Sequence, residues 1–508
     1  MPRPARGIRR SAAEPPNARD DAPDGPGSGA RVTRGTRIAA PLPGTRPGGE
    51  TGTVRREGRR MGTPGASAHR GARPAWRRDH DERGTRRHVP RGPAGTRRTG
   101  HPVTGRCGRG CRVAAALLTA VACQAGPARA APHPPGATGH PSGVVTWAAS
   151  AERLGPGAAG RDYRMIVHTS VGGSAPRVRF SNAFGDRPLT LDHVYAGPRL
   201  RGAALRPGDN RPLTFRGARR ITLPAGAMAW SDPLPGRLPA GTDLAVSLHT
   251  PHAAGPASGH RMALRTSYTG QGAHTAEPDA AHWTGTTGSW WYLDAVSVRP
   301  DRPATGAVAV LGDSLTDGER STPDTDRRWP DQLARRLRAA RAAVEGVADE
   351  GVSGNKVLAD DAGPSALHRL DRDVLSLPGV RTVFLFEGVN DIKARPGATA
   401  ADLIAGYRRI VRRAHAAHLC VVAATIGPFK GRPEWNPGVE AVRRDVNRFV
   451  RGSGEFDAVA DFDRVLRDPR DPERLRPDLD GGDRLHPGDR GMRALADGVD
   501  LDRLECAR

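Results

Sequence analysis

From residue 307 to residue 499, short apolar runs alternate with longer amphipathic stretches, and nothing else in the chain constrains its fold as much. Residues 307–311 (AVAVL) read as a buried strand, and a weaker run lies at 344–348. Clearer runs follow at Val380–Phe386, 419–426 and 456–462. Between them, residues 329–344 place Leu333, Leu337 and Val344 on one helical face. Residues 401–418 do the same with Leu403, Ile404, Ile410 and Val411, and 439–450 and 489–499 read as further helices. Strands joined by helices imply a parallel sheet covered on both faces, with ligand sites beyond the strand carboxyl ends. The expected body is a three-layer α/β/α domain over residues 301–508.

The texture upstream is different. Residues 163–168 (YRMIVH), 177–181, 219–223, 244–248 and 291–298 are short runs with period-two alternation, separated by Gly, Pro, Asn and Asp. No stretch between 144 and 300 carries a long helical stripe. The pattern predicts an all-β, jelly-roll-like sandwich over residues 144–300.

Charge first suggests a nucleic-acid binder, since the 508 residues carry a formal net charge of +24. Residues 1–130 alone hold 27 Arg, no Lys and nine acids, or +18, which leaves +6 for the rest. A steering field must sit on the folded body, so a nucleic-acid partner is not expected. Only three lysines occur, Lys356, Lys393 and Lys430, and none lies in a phosphate-cradling G-x-x-x-x-G-K-[ST] loop. Zincin H-E-x-x-H helices and the G-x-S-x-G elbow are missing too.

Residues 1–105 form an Arg/Gly/Pro-rich leader that cannot bury enough apolar surface to offset chain entropy, so disorder is expected. Arg106, Arg109 and Arg112 then precede the apolar run 113–123 (VAAALLTAVAC) and an A-x-A site at Ala128–Ala130, the signature of a secretory signal peptide over 106–130. A signal peptide so far from Met1 suggests translation starting near Val103, with a long basic pre-region as the alternative. Either way the mature, secreted chain starts near Ala131, followed by a linker over 131–143, and no stable membrane insertion is expected. A lipobox at Cys123 lacks its usual Leu. Beyond it only Cys420 and Cys506 remain, either to pair or to stay as thiols, Cys420 being in an apolar run.

Polar residues follow the strands in the α/β region. Gly312-Asp313-Ser314-Leu315 comes after the first, Gly351-Val352-Ser353-Gly354-Asn355 after the second and Gly388-Val389-Asn390-Asp391 after the third. Asp483-Arg484-Leu485-His486-Pro487 comes late in the chain. A serine at a strand-to-helix turn exposes its hydroxyl. To attack a carbonyl it needs a base, for which His486 is the candidate, and the base needs an acceptor to fix its tautomer, for which Asp483 stands three residues earlier. A tetrahedral oxyanion needs donors, and the N–H groups of Ser314 and Gly354 and the amide of Asn390 are candidates.

These four blocks, in this order, resemble the SGNH/GDSL hydrolase superfamily, over roughly residues 300–505. Gly312–Gly318 as GDSLTDG and Gly482–Pro487 as GDRLHP resemble a secreted bacterial subgroup with an N-terminal β-domain, as does RVRFSNAFG at 177–185. The resemblance implies Ser314 as nucleophile, Gly354 and Asn390 as oxyanion donors, Asp483 and His486 completing a triad, and no cofactor or metal. Asp349 departs from the pattern, standing where Asn is expected before E-G-x-S-G, which puts local loop packing in question. Asp313 and Asp391 are expected to shape turns. His415 and His418 lack a third metal ligand, and Asp461 and Asp463 lack a calcium loop. Trp283, Trp290, Trp291 and Tyr292 could form a sugar platform, though interdomain packing is the preferred reading.

The expected protein is therefore a secreted serine esterase acting on O-acetylated polysaccharide or on lipid acyl esters. The alternative is a secreted carbohydrate-binding or adhesion protein with a vestigial hydrolase domain. Oligomeric state is not legible.

Overall fold

In the structure, a computed structural model describing residues 143–253 and 255–506, the alternating region forms a five-stranded parallel sheet. The leader, the signal peptide and the linker up to residue 142 lie outside the described residues. In spatial order the strands are Val344–Gly351, Gly306–Gly312, Val380–Phe386, Cys420–Ala424 and Ala458–Ala460. Numbered along the chain this is 2-1-3-4-5, so the winding direction reverses between Gly306–Gly312 and Val380–Phe386. A crevice opens at the carboxyl ends on either side of such a reversal. The three strands flanking it end level, with Gly312 paired with both Gly351 and Phe386.

The two longest helices start where side chains satisfy their free N–H groups. Thr399 and Asp402 form a reciprocal capping box for Ala400–Ala416, and Asn436 caps Pro437–Gly452, which has Pro in its first turn. Helix Trp329–Ala340 buries Trp329, Leu333 and Leu337 completely. Each such side chain contributes about 1.5–3 kcal/mol. Trp329 also closes an aromatic cluster with Phe384, Phe386 and Phe462, whose ring centroids lie 5.0, 6.4 and 5.4 Å from its own.

Of the expected boundaries that shift, two have a visible cause. Val344 does not share the helical face of Leu333 and Leu337; Arg341 turns left-handed at φ 51°, the helix stops at Ala340, and Val344 opens the next strand. The run at 456–462 shortens to the strand Ala458–Ala460, because Asp461 caps a new helix, Phe462–Leu466, by accepting the Arg464 N–H.

Among the described residues from 143 to 300, every regular element is a strand. They form antiparallel sheets of five, eight and three strands. The longest, Leu189–Arg201, escaped sequence reading because Gly197 and Pro198 interrupt its apolar alternation. Trp290, Tyr292 and Trp283 are buried packing residues, with Trp290 edge-on to Trp147 at 4.8 Å. No helix among the described residues is long and apolar enough to cross a membrane.

Strand Val344–Gly351 is an edge of the parallel sheet, and the β region covers it. Ala149 makes a parallel bridge to Asp349, the Val145 N–H donates to Pro378 O at 2.9 Å, and the Val347 N–H donates to Ser170 Oγ at 3.0 Å. One hydrophobic core runs without a break from Val144 through the β region into the α/β body and on to Leu504. Cys420 and Cys506 are disulfide-bonded, with Cα atoms 5.8 Å apart, which settles the open alternative for that pair. Their bond ties the chain end to the fourth sheet strand.

Candidate active site

Ser314 opens a four-residue helix directly beyond the strand Gly306–Gly312, and Asp313 caps that turn by accepting the Leu315 N–H at 3.0 Å. Burial pushes the Asp313 carboxyl up to about 6. Its turn-shaping role is the one the sequence suggested.

His486 meets the serine from the far end of the chain. Its Nε2 lies 2.9 Å from Ser314 Oγ, and its Nδ1 lies 2.7 Å from Asp483 Oδ2. Asp483 Oδ1 accepts the backbone N–H groups of His486 at 2.9 Å and Leu485 at 3.1 Å. Burial alone would raise the Asp483 carboxyl, but the hydrogen bonds from the His486 ring and from these two backbone groups outweigh it and hold it well below the usual carboxylate range. With Nδ1 donating to a carboxylate, the neutral ring presents a lone pair on Nε2 to the serine.

The candidate oxyanion donors converge through their neighbours. The Asn390 amide donates to Asn355 O at 2.8 Å, next to Gly354, and at 3.3 Å to the carboxylate of Asp313, next to Ser314. Gly354 has φ +83°, and a Cβ there would come 2.9 Å from that of Ala362, so only glycine fits comfortably. The backbone N–H groups of Ser314 and Gly354 have no protein acceptor among the described residues. Asn390 follows Gly388, at φ +120°, where a Cβ would meet the Tyr407 hydroxyl at 2.7 Å. Asp391 is a brace, accepting the Val357 and Leu358 N–H groups at 2.8 and 3.0 Å.

Several neighbours gave no sequence signal. Glu319 Oε2 stands 3.4 Å from His486 Nε2, and Arg320 Nε stands 3.5 Å from Asp483 Oδ2. Arg369, fully buried, donates to Gly312 O at 2.9 Å, Glu350 O at 2.7 Å, Asn355 Oδ1 at 2.9 Å and Ser150 Oγ at 2.7 Å. It thereby fastens two strand ends and the loop after Gly354 to one cation. Asp349 sits beside the Arg328 guanidinium at 3.3 Å and accepts the Gly351 N–H at 3.2 Å, so the departure from the expected Asn is accommodated. Burial outweighs Arg328 and pushes that carboxyl up to about 7.

Three groups of ligand atoms among the described residues invite a metal reading. In one, His168, Asp243 and Asp326, the carboxylates already pair with the Arg265 guanidinium at 3.1 and 2.5 Å, and Asp243 also with Arg199 at 3.1 Å. His274, Glu277 and His282 gather on the β region, but the two imidazoles stack face to face at 3.6 Å and 5°. An ion between them would lie out of both ring planes, away from the lone pairs, so the pair suits hydrogen bonding to Glu277 rather than coordination. Glu319, Asp483 and His486 also converge, yet both nitrogens of His486 already face Ser314 and Asp483. His415 pairs with Asp457 at 2.9 Å, and Asp461 and Asp463 pair with Arg451 and Arg443.

A serine, a histidine and an aspartate in hydrogen-bond line beyond the strand at a parallel sheet's winding reversal form an arrangement suited to acyl transfer. Residues 310–494 match the GDSL-like lipase/acylhydrolase family, and this part of the chain is a domain of that family. The protein is accordingly a carboxylic ester hydrolase. No curated protein matches the chain. Similar solved structures include a carbohydrate acetylesterase from Sinorhizobium meliloti, at 17% identity and TM-score 0.33, covering 39% of this chain and 98% of that one. The aryl esterase of M. smegmatis aligns at 20% identity and TM-score 0.32, covering 39% and 98%. A GDSL-like lipase from Bacteroides thetaiotaomicron aligns at 16% identity and TM-score 0.31, covering 39% and 87%.

Proposed function

We propose that the chain is a secreted serine esterase in which Ser314, His486 and Asp483 form the triad, with an all-β, jelly-roll-like body in front of the catalytic one. The unbroken line of contacts from Ser314 Oγ through His486 to Asp483, at 2.9 and 2.7 Å, carries the reading. His486 Nε2 takes the Ser314 proton as Oγ bonds to the ester carbonyl carbon. The resulting oxyanion is held by the N–H groups of Ser314 and Gly354 and by the Asn390 amide. When the tetrahedral adduct collapses, the ester C–O bond breaks and His486 returns the proton to the leaving alcohol. Water then attacks the acyl-enzyme, losing a proton to His486. Collapse releases the acid, and the proton goes back to Ser314 Oγ.

For Asn390 to serve the oxyanion, one amide hydrogen must leave the 3.3 Å contact with Asp313, while the shorter bond to Asn355 O keeps the side chain aimed. Asn390→Ala is expected to lower kcat on the order of 10²–10³-fold with KM little changed. Steady-state kinetics on a soluble ester check this, and an unchanged kcat would remove Asn390 from the hole.

Secretion rests on the basic n-region, the apolar run and the A-x-A site, and the substrate is an O-acetylated polysaccharide or a lipid acyl ester. Assay of the purified chain on p-nitrophenyl esters from acetyl to palmitoyl tests the activity and divides those two. Turnover confined to acetyl points to polysaccharide deacetylation, and turnover extending to long chains points to lipids. Silence on every ester from a folded protein would overturn the esterase reading in favour of a binding or adhesion module.

A further inference from the structure

The β region sends one charged side chain into the rear of the catalytic site. His260 lies at the end of the strand Pro256–His260, 2% exposed, with its ring tilted against Trp290 at 5.5 Å. Both ring nitrogens face acceptors. Nδ1 lies 3.1 Å from Ser150 O, and Nε2 lies 3.0 Å from Asp317 Oδ1. A neutral imidazole has only one N–H and would leave one of these contacts without a hydrogen, so the geometry selects the imidazolium. Burial works against that charge, but Asp317 outweighs it, with help from Glu152 and Ser150 O, and the ring pKa rises to about 9.

Asp317 passes the contact on. Its Oδ2 accepts both the backbone N–H of Ser353 at 3.0 Å and the Ser353 hydroxyl at 2.7 Å. Ser353 is the residue before Gly354, and its carbonyl belongs to the same rigid peptide unit as the Gly354 N–H. Fixing Ser353 at two points therefore restricts where that N–H can aim. The other side of the turn is closed by the Asn355 N–H donating to Val352 O at 3.0 Å. Met262, two residues beyond His260, places its sulfur 3.9 Å from the Ser353 hydroxyl.

We infer that His260, through Asp317 and Ser353, is a positioning residue that aims the Gly354 N–H into the oxyanion hole, so that the β region completes the catalytic site. This rests on the proposed role of Gly354 as an oxyanion donor. His260 touches no reacting atom. Its effect is expected in kcat, where the oxyanion exists, and not in KM.

The test uses the full chain with four variants, His260→Gln, Ser353→Ala, their double variant and Ser314→Ala, assayed on p-nitrophenyl acetate. His260→Gln keeps the size but loses the charge, and Ser353→Ala removes only the hydroxyl link. Each single variant is expected to lose about tenfold in kcat, the scale of a slightly misplaced group, with KM unchanged. The double variant should lose no more than either single, because both cut one line. Affinity for a small boronic acid, whose serine adduct places a charged oxygen in the same hole, should fall by the same factor. A merely structural role would lower the melting temperature without moving the boronate affinity or the kcat of the folded fraction, and that result overturns the inference. So does additivity in the double variant, or full activity in Ser353→Ala, which decides the matter even if His260→Gln does not fold. Retained activity in Ser314→Ala would instead overturn the esterase reading itself.

Discussion

Ser314→Ala is expected to lose ester turnover by on the order of 10⁶-fold while remaining folded. The loss is large because attack, proton transfer and acyl-enzyme formation all pass through the one oxygen that lies 2.9 Å from His486. The fold survives because that side chain makes a single hydrogen bond, with a net contribution of about 1 kcal/mol. The turn around it is held by Asp313 capping Leu315 and by the Gly318 N–H bonding to Ser314 O. Pre-steady-state mixing with a chromogenic ester checks this, since the variant should show neither burst nor steady turnover at an unchanged melting temperature. Near-full activity would remove Ser314 as nucleophile.

Asp483→Asn should cost about 10⁴-fold in kcat, more than a lost charge alone suggests. Two backbone N–H groups, from Leu485 and His486, point at Oδ1, so the asparagine must keep its carbonyl oxygen there. Its NH₂ then faces His486 Nδ1, which can accept only by surrendering its proton. The ring proton moves to Nε2, where it meets Ser314 Oγ and leaves no lone pair for the serine proton. Binding surfaces are untouched, so KM should stay within about twofold. Asp483→Ala, which imposes no tautomer, should be less damaged than the isosteric Asn variant, and the two kcat values compared directly decide whether tautomer or charge dominates.

The α/β body was legible because its apolar runs and its helical stripes have different periods, and because ligand-bearing turns fall beyond strand ends in any such sheet. Ser314, Gly354 and Asn390 could be singled out for that reason, and Asp483 and His486 because a serine in such a turn needs a base and the base an acceptor. Val344 was misplaced because an apolar residue at helical spacing from Leu337 fits the stripe; the left-handed turn at Arg341 that ends the helix leaves no mark in a run of Arg and Ala. Leu189–Arg201 was lost to Gly197 and Pro198. Arg369 and His260 were invisible for a different reason. Their partners lie far off along the chain, 57 residues away at Gly312 and Asp317 in each case, and neither stands in a local pattern. Asp317 lies inside the GDSLTDG block, yet its partners come from a strand end at His260 and a turn at Ser353 that only the fold brings together.

The covered edge of the parallel sheet has a consequence for how the molecule could be divided. Val344–Gly351 has a paired side and a side closed by the segment around Ala149, so a fragment beginning at residue 301 would carry a bare row of backbone donors and acceptors. It would also lose the apolar partners that Val144, Val145 and Trp147 supply to the common core. Such a fragment should template its own aggregation rather than yield a smaller esterase. The intact protein should melt in a single calorimetric transition, because the main apolar cluster is continuous across both regions and opening either one exposes apolar surface of the other.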